Sequence, residues 1–101
     1  MNAKNEDILV MLDSLQELFQ EQGDKVTPRQ PATRMEQKLH RNVHYNFASY
    51  LFTLQGFVTK SVTNKDGGYS RFIVYNPELI AEQRARVKDI SAEVRKDRNE
   101  D

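Results

Sequence analysis

Residues 42–58 read NVHYNFASYLFTLQGFV, residues 59–63 TKSVT, residues 64–68 NKDGG and residues 69–76 YSRFIVYN. Val43, Phe47, Leu51 and Leu54 recur at helical spacing, with Tyr50 beside them, and are expected to face a core. His44, Tyr45, Asn46, Ser49 and Thr53 fall on or toward the other side. Asn42 is the expected cap and Gly56 the expected stop. Two strands should follow, Val58 to Thr63 and Tyr69 to Tyr75, because Asp-Gly and Gly-Gly supply the positive φ of a tight hairpin loop. On the second strand Phe72 and Val74 share one face, and Arg71, Ile73 and Tyr75 the other.

Before this stretch, Ile8, Leu9, Met11, Leu12, Leu15, Leu18 and Phe19 repeat every three or four residues, from a cap at Asn5 to a stop near Gly23. Ile8, Met11, Leu12, Leu15 and Phe19 are expected in the core, with Leu9 and Leu18 spilling to the side. So wide a stripe fits either a helix packed between two layers or one shared with a second chain. Residues 24–32, DKVTPRQPA, break the pattern with two prolines, and Val26 could pair as a short strand. Thr27-Pro28 with Gln30 could start a helix as a capping box, but Pro31 would then sit near the fourth helical position, where an N–H is needed; Thr33 with Glu36 is the better box, so the second helix is expected from Thr33 to Leu39.

After it, Asn76-Pro77-Glu78 is a helix start: cap, proline at the first position, then an acid. Ile80, Val87 and Val94 lie seven residues apart, with Ile90 at the complementary heptad position. A helix this polar needs a partner, either the first helix or its own copy in another chain. The terminal RKDRNED is expected to fray.

At 101 residues the chain has room for one domain, expected as three segments: 1–24, 25–75 and 76–101. Hydrophobic residues make up 38% and charged residues 30%, which implies a modest core and a gain from dimerising. Without cysteine there is neither a disulfide framework nor a thiolate metal site. No apolar run reaches the roughly 20 residues of a membrane span. The acidic start does not read as a signal peptide, so a cytoplasmic location is expected, with no membrane contact.

The net charge of zero hides a strong asymmetry. Residues 1–24 set Lys4 against Glu6, Asp7, Asp13, Glu17, Glu21 and Asp24, for −5. Residues 25–60 set Lys25, Arg29, Arg34, Lys38, Arg41 and Lys60 against Glu36, for +5. Such a separation creates a local field despite the neutral sum, with the acidic helix expected to face away from the basic segment.

The order helix, short helix, helix, hairpin, helix resembles the winged helix-turn-helix superfamily of DNA-binding proteins. The resemblance runs from about Val26 to Tyr75, centred on NFASYLFTLQGFV and the hairpin tipped by DGG. In the MarR, ArsR and PadR groups the recognition helix likewise ends in a Leu-rich turn, a Gly and an apolar pair before the wing. The exit YNPEL into a heptad-like helix resembles the TrmB-type regulators, where that helix dimerises. Two features depart from the pattern: Phe52 stands where Leu is usual, and RMEQKL replaces an Ala-rich second helix.

The expected class is therefore α+β, mainly α: a winged helix of three helices and a hairpin wing, with a C-terminal dimerisation helix. The resemblance implies a homodimeric, sequence-specific double-stranded DNA-binding protein, a small transcriptional repressor or a plasmid or phage accessory regulator. Arg41, Asn42, His44, Tyr45, Asn46 and Ser49 would face the major groove, since Asn pairs with adenine and Arg with guanine. Tyr45 and Thr53 could also reach phosphate, Lys60, Asn64, Lys65 and Arg71 would meet the backbone from the hairpin, and Arg29, Arg34 and Lys38 would add phosphate contacts. Leu9, Leu18, Ile80, Val87, Ile90 and Val94 are the candidate dimer contacts.

The simpler reading is that these polar side chains form ordinary solvated faces. The competing function is a protein-interaction module on the same scaffold, an inhibitor or assembly factor, with the acidic first helix as its partner surface. Glu36, His40 and His44 have the i, i+4, i+8 spacing of a metal site, but a helix break near Arg41 would spoil it, so no metal is expected. No Ser-His-Asp grouping, Walker loop or GxGxxG occurs, and neither catalysis nor a cofactor is expected. Tyr45, Phe47, Tyr50, Phe52 and Phe57 could stack bases of a single strand, but at helical spacing such aromatics are more often core.

Overall fold

In the computed structural model, which describes residues 4–87, three helices precede a two-stranded hairpin and a fourth helix. They are α1 (Asn5–Gln22), α2 (Gln30–Leu39), α3 (Tyr45–Leu54), β1 (Thr59–Thr63), β2 (Tyr69–Ile73) and α4, described over residues 77–87. The class is α+β, mainly helical, and the order of three helices and a hairpin is consistent with a winged helix. Ile90, Val94 and the charged tail lie outside the described residues.

α1 packs on α2 and α3, and α4 lies against α1 as well. Met11, Leu12, Leu15, Leu18 and Phe19 of α1 are buried with Met35 of α2 and Ala48, Leu51 and Phe52 of α3. Val26, Val43 and Phe57 fill the space beneath the connections, and Ile73 brings the hairpin onto the same core. Leu18 therefore belongs inside, where the spacing had placed it at the side. Leu54 goes the other way: it is 55% exposed, and Phe52 takes its place in the core. Two positions apart on a helix, the side chains of Phe52 and Leu54 point about 200° away from each other, so one buried face cannot take both.

α2 begins three residues earlier than the capping-box reading allows. The Gln30 side chain accepts the Thr27 N–H at 2.9 Å and also bonds Gln22 of α1, so the chain turns into the helix at Gln30. Pro31 then falls in the first turn, where an N–H has no helical partner to lose. α3 begins later than expected. His44, rather than Asn42, is its cap, and the His44 Nδ1 accepts the Asn46 N–H at 3.0 Å. That bond leaves the proton of the neutral ring on Nε2.

α3 ends as the sequence predicts. Gly56 has φ +97°, and the Phe57 N–H reaches back to the Phe52 carbonyl while the Gly56 N–H reaches the Thr53 carbonyl. In the hairpin Gly67 has φ +90°, and Asn64 ties the loop through the Gly68 carbonyl and the Ser70 hydroxyl. Thr59 faces Ile73 and Ser61 faces Arg71 in the antiparallel register. Val26 adds a single rung, its carbonyl accepting the Ile73 N–H at 2.8 Å. Asn76 caps α4 through the Leu79 N–H.

Ile80 and Val87 of α4 are 2% and 5% exposed within one chain. Their apolar surface, like that of Leu18, is already covered without a second copy, whereas Leu9 stays half-buried. The heptad spacing of Ile80 and Val87 thus serves the fold of one chain in this arrangement. No described helix is long and apolar enough to cross a membrane.

Candidate nucleic-acid interface

The exposed side of α3 does not stand alone. The turn before α2 and the inner face of the hairpin rise beside it, and the three enclose an open groove of about 700 Å³. α3 supplies Tyr45, Asn46, Ser49 and Thr53, with Phe52 beneath them. The turn supplies Thr27, Pro28 and Arg29, and the hairpin supplies Thr59 and Arg71. The polar groups are mainly hydroxyls, an amide and two guanidiniums, with no carboxylate in the lining.

Arg29 lies with its guanidinium carbon 4.8 Å from the centre of the Tyr45 ring, within cation–π range. The His44 ring stacks on the same tyrosine at 4.8 Å and 27°. In the first turn of α3 the Tyr45 ring is thus flanked by the Arg29 guanidinium and the His44 ring, beside the His44 cap. Neither Arg29 nor Arg71 makes an ion pair among the described residues, so no acid there neutralises either charge.

The other basic residues of the expected interface are held differently. Arg34 lies 3.0 Å from Glu17 and 2.8 Å from Glu21, and Lys38 also bonds Glu17. Arg41 reaches Asp7 at 2.6 Å. Arg84 of α4 pairs with Asp13. The acids of α1 and the bases of α2 do not face apart, as the charge asymmetry implied; they face each other. The Lys38 hydrogen bond, with Arg34 adding to it, holds the Glu17 carboxyl below the ordinary carboxylate range. Glu21 and Glu17 in turn raise Arg34 above the usual guanidinium value. The spacing held a signal for this. Glu17 and Glu21, like Arg34 and Lys38, are four apart, so each pair presents one helical face to the other.

The hairpin splits its candidates between two faces. Arg71 shares a face with Thr59 and Ile73 and lines the groove. Lys60 is opposite Phe72 on the reverse face, where Lys25 sits 5.0 Å from the Phe72 ring centre. Lys65 is at the exposed tip, and Asn64 is occupied in holding the loop. Asn42 is exposed in the turn before α3 and is not in the groove lining.

Thr27, Pro28 and Thr59 were not legible as groove residues. They come from segments far apart in sequence, and nothing in their local pattern marks them. α2 ends at Leu39, and His40 has φ +55°, so Glu36, His40 and His44 do not share one helix. Glu36 accepts the Val43 N–H at 2.8 Å instead. Among the described residues no three His, Cys, Asp or Glu side chains come together as a metal site.

No family model, curated protein or solved structure matches the chain.

Proposed function

We propose that the protein binds double-stranded DNA through α3 and the hairpin, as a winged helix does, and acts as a small sequence-specific regulator. The observation that carries this reading is the groove in which Arg29 and Arg71, both without carboxylate partners, flank Tyr45, Asn46, Ser49 and Thr53. Two cations beside a row of hydrogen-bonding groups suit a phosphate backbone on either side of readable base edges. Asn46 and Ser49 are the residues for base edges, and Arg29, Arg71 and Thr59 those for phosphate. Arg34, Lys38 and Arg41 drop out of the contact set because α1 neutralises them.

Regulation in this reading comes from occupancy of a site by two copies, with α3 helices entering major grooves about 34 Å apart. The pairing of copies draws on surfaces other than Leu18, Ile80 and Val87. A fluorescence-anisotropy titration with mixed-sequence duplex at 50 and 200 mM salt tests the proposal. Binding should weaken steeply with salt, and Arg29→Ala with Arg71→Ala should weaken it further. No binding at the lower salt overturns the reading.

A protein partner is the second reading, favoured by the exposed Leu54 and Val58 at the foot of α3. Stoichiometric capture of a protein by the wild-type chain, lost in Leu54→Ser but kept in the Arg29 and Arg71 variants, would decide for it.

A further inference from the structure

Asp7 is the one charged side chain buried among the described residues, with 6% of its side chain exposed. It sits in the first turn of α1, far in sequence from the groove. Its partner, Arg41, lies in the turn that joins α2 to α3 and stays half-exposed while its guanidinium reaches over the carboxylate. Two residues on, the Val43 N–H donates to Glu36 at 2.8 Å, and Val43 itself is buried. His40 opens the turn in a left-handed conformation, which costs a non-glycine residue energy and needs support from its surroundings.

We infer that Asp7, Glu36 and Arg41 are positioning residues: two carboxylates, Asp7 from α1 and Glu36 from α2, clamp the turn from His40 to His44 and so fix where α3 begins and which way its first turn faces. Arg41 is then a brace and not a contact to nucleic acid. The inference deepens the proposed function and rests on it for its effect on binding. Its effect on the protein itself does not depend on that reading.

A buried carboxylate without its cation is costly, so the pair holds firmly once formed. An ion in the first turn of α1 also complements that helix's dipole. If Asp7 served only α1, removing Arg41 would leave α3 untouched. If the clamp is real, the groove groups nearest the turn, Tyr45 and Asn46, shift with it, because His44 and these two residues follow directly.

The first test needs no ligand. Amide hydrogen exchange of the folded chain is followed in Asp7→Asn, Arg41→Ala and Glu36→Gln. Asn46, Phe47 and Ala48, whose N–H groups bond His44, should exchange about tenfold faster in each variant, while the hairpin amides keep their wild-type rates. Unchanged exchange in Arg41→Ala, whose altered side chain is half-exposed, overturns the inference even if Asp7→Asn fails to fold.

The second test is duplex affinity against salt, measured well below the melting temperature of each variant. A brace predicts that Asp7→Asn and Arg41→Ala both weaken binding, with an unchanged slope of log K on log salt. A phosphate contact by Arg41 predicts opposite signs: Arg41→Ala weakens binding and flattens the slope by about 0.9, while Asp7→Asn frees the arginine and tightens it. That result overturns the inference. If the wild-type chain binds no duplex, the functional reading fails and the exchange experiment alone decides for or against the clamp.

Discussion

Two basic surfaces of this small protein look alike in sequence and differ in the fold. On the α1–α2 side, Arg34 and Lys38 sit between Glu17 and Glu21, and the charges cancel. On the α3–hairpin side, Arg29 and Arg71 face a groove with no acid in its lining. The first surface uses its ionic groups to join two helices; the second leaves them without an acidic partner. A charge count along the chain cannot separate the two, because the count is the same whether a base meets an acid or not. What matters for binding is the charge left unpaired.

The hardest way to break the comparison is to remove the core both surfaces share. Leu51 is fully buried on the inner face of α3, and Leu51→Ala should cost about 2–5 kcal/mol in denaturant unfolding. A loss under 1 kcal/mol would mean that α3 is not anchored as described. The comparison itself is tested by two double variants in the duplex titration. Arg29→Ala with Arg71→Ala should lower affinity about 10- to 100-fold and flatten the salt slope by about 1.8. Arg34→Ala with Lys38→Ala should leave both within about twofold. Equal losses from the two pairs would erase the distinction.

A smaller effect falls on the cap of α3. His44→Ala removes the acceptor of the Asn46 N–H and should cost about 1 kcal/mol, read as a lower unfolding midpoint, with His44→Asn restoring most of it. The smallest lies in the ion-pair surface. Because the Glu17 carboxyl is held below its ordinary range, its pairing stabilises the fold above that range and is lost as pH falls through its folded value. Glu17 is 39% exposed, so solvent screens the gain, which should stay below about 1 kcal/mol. Unfolding of wild type and Glu17→Gln compared from neutral pH down to pH 2 should show a small gap that closes in acid. A gap that widens toward acid would contradict the assignment.

Local chemistry was legible wherever the deciding partner is a near neighbour. The stripe of Met11, Leu12, Leu15 and Phe19 specified α1, Gly56 stopped α3, NKDGG made the hairpin loop, and Asn76-Pro77 started α4. Each depends on spacing or on φ at one residue, and both are written in the chain. The starts of α2 and α3 also rest on local bonds, Gln30 to the Thr27 N–H and His44 to the Asn46 N–H; packing adds the weight that favours them over Thr33 and Asn42, where Gln30 also bonds Gln22 and Glu36 takes the Val43 N–H.

By itself, then, the sequence determined the kinds and order of the elements, through periodicity, caps and turn residues that act over a few positions. Tertiary structure decided where the buried faces end and which charges remain free. Leu18 went in and Leu54 out, Lys60 and Arg71 parted to opposite faces, and Arg41 found Asp7 34 positions away. The physical reason is range. Backbone preferences are set by adjacent residues, whereas burial and ion pairing depend on distances through space that do not exist until the chain has folded.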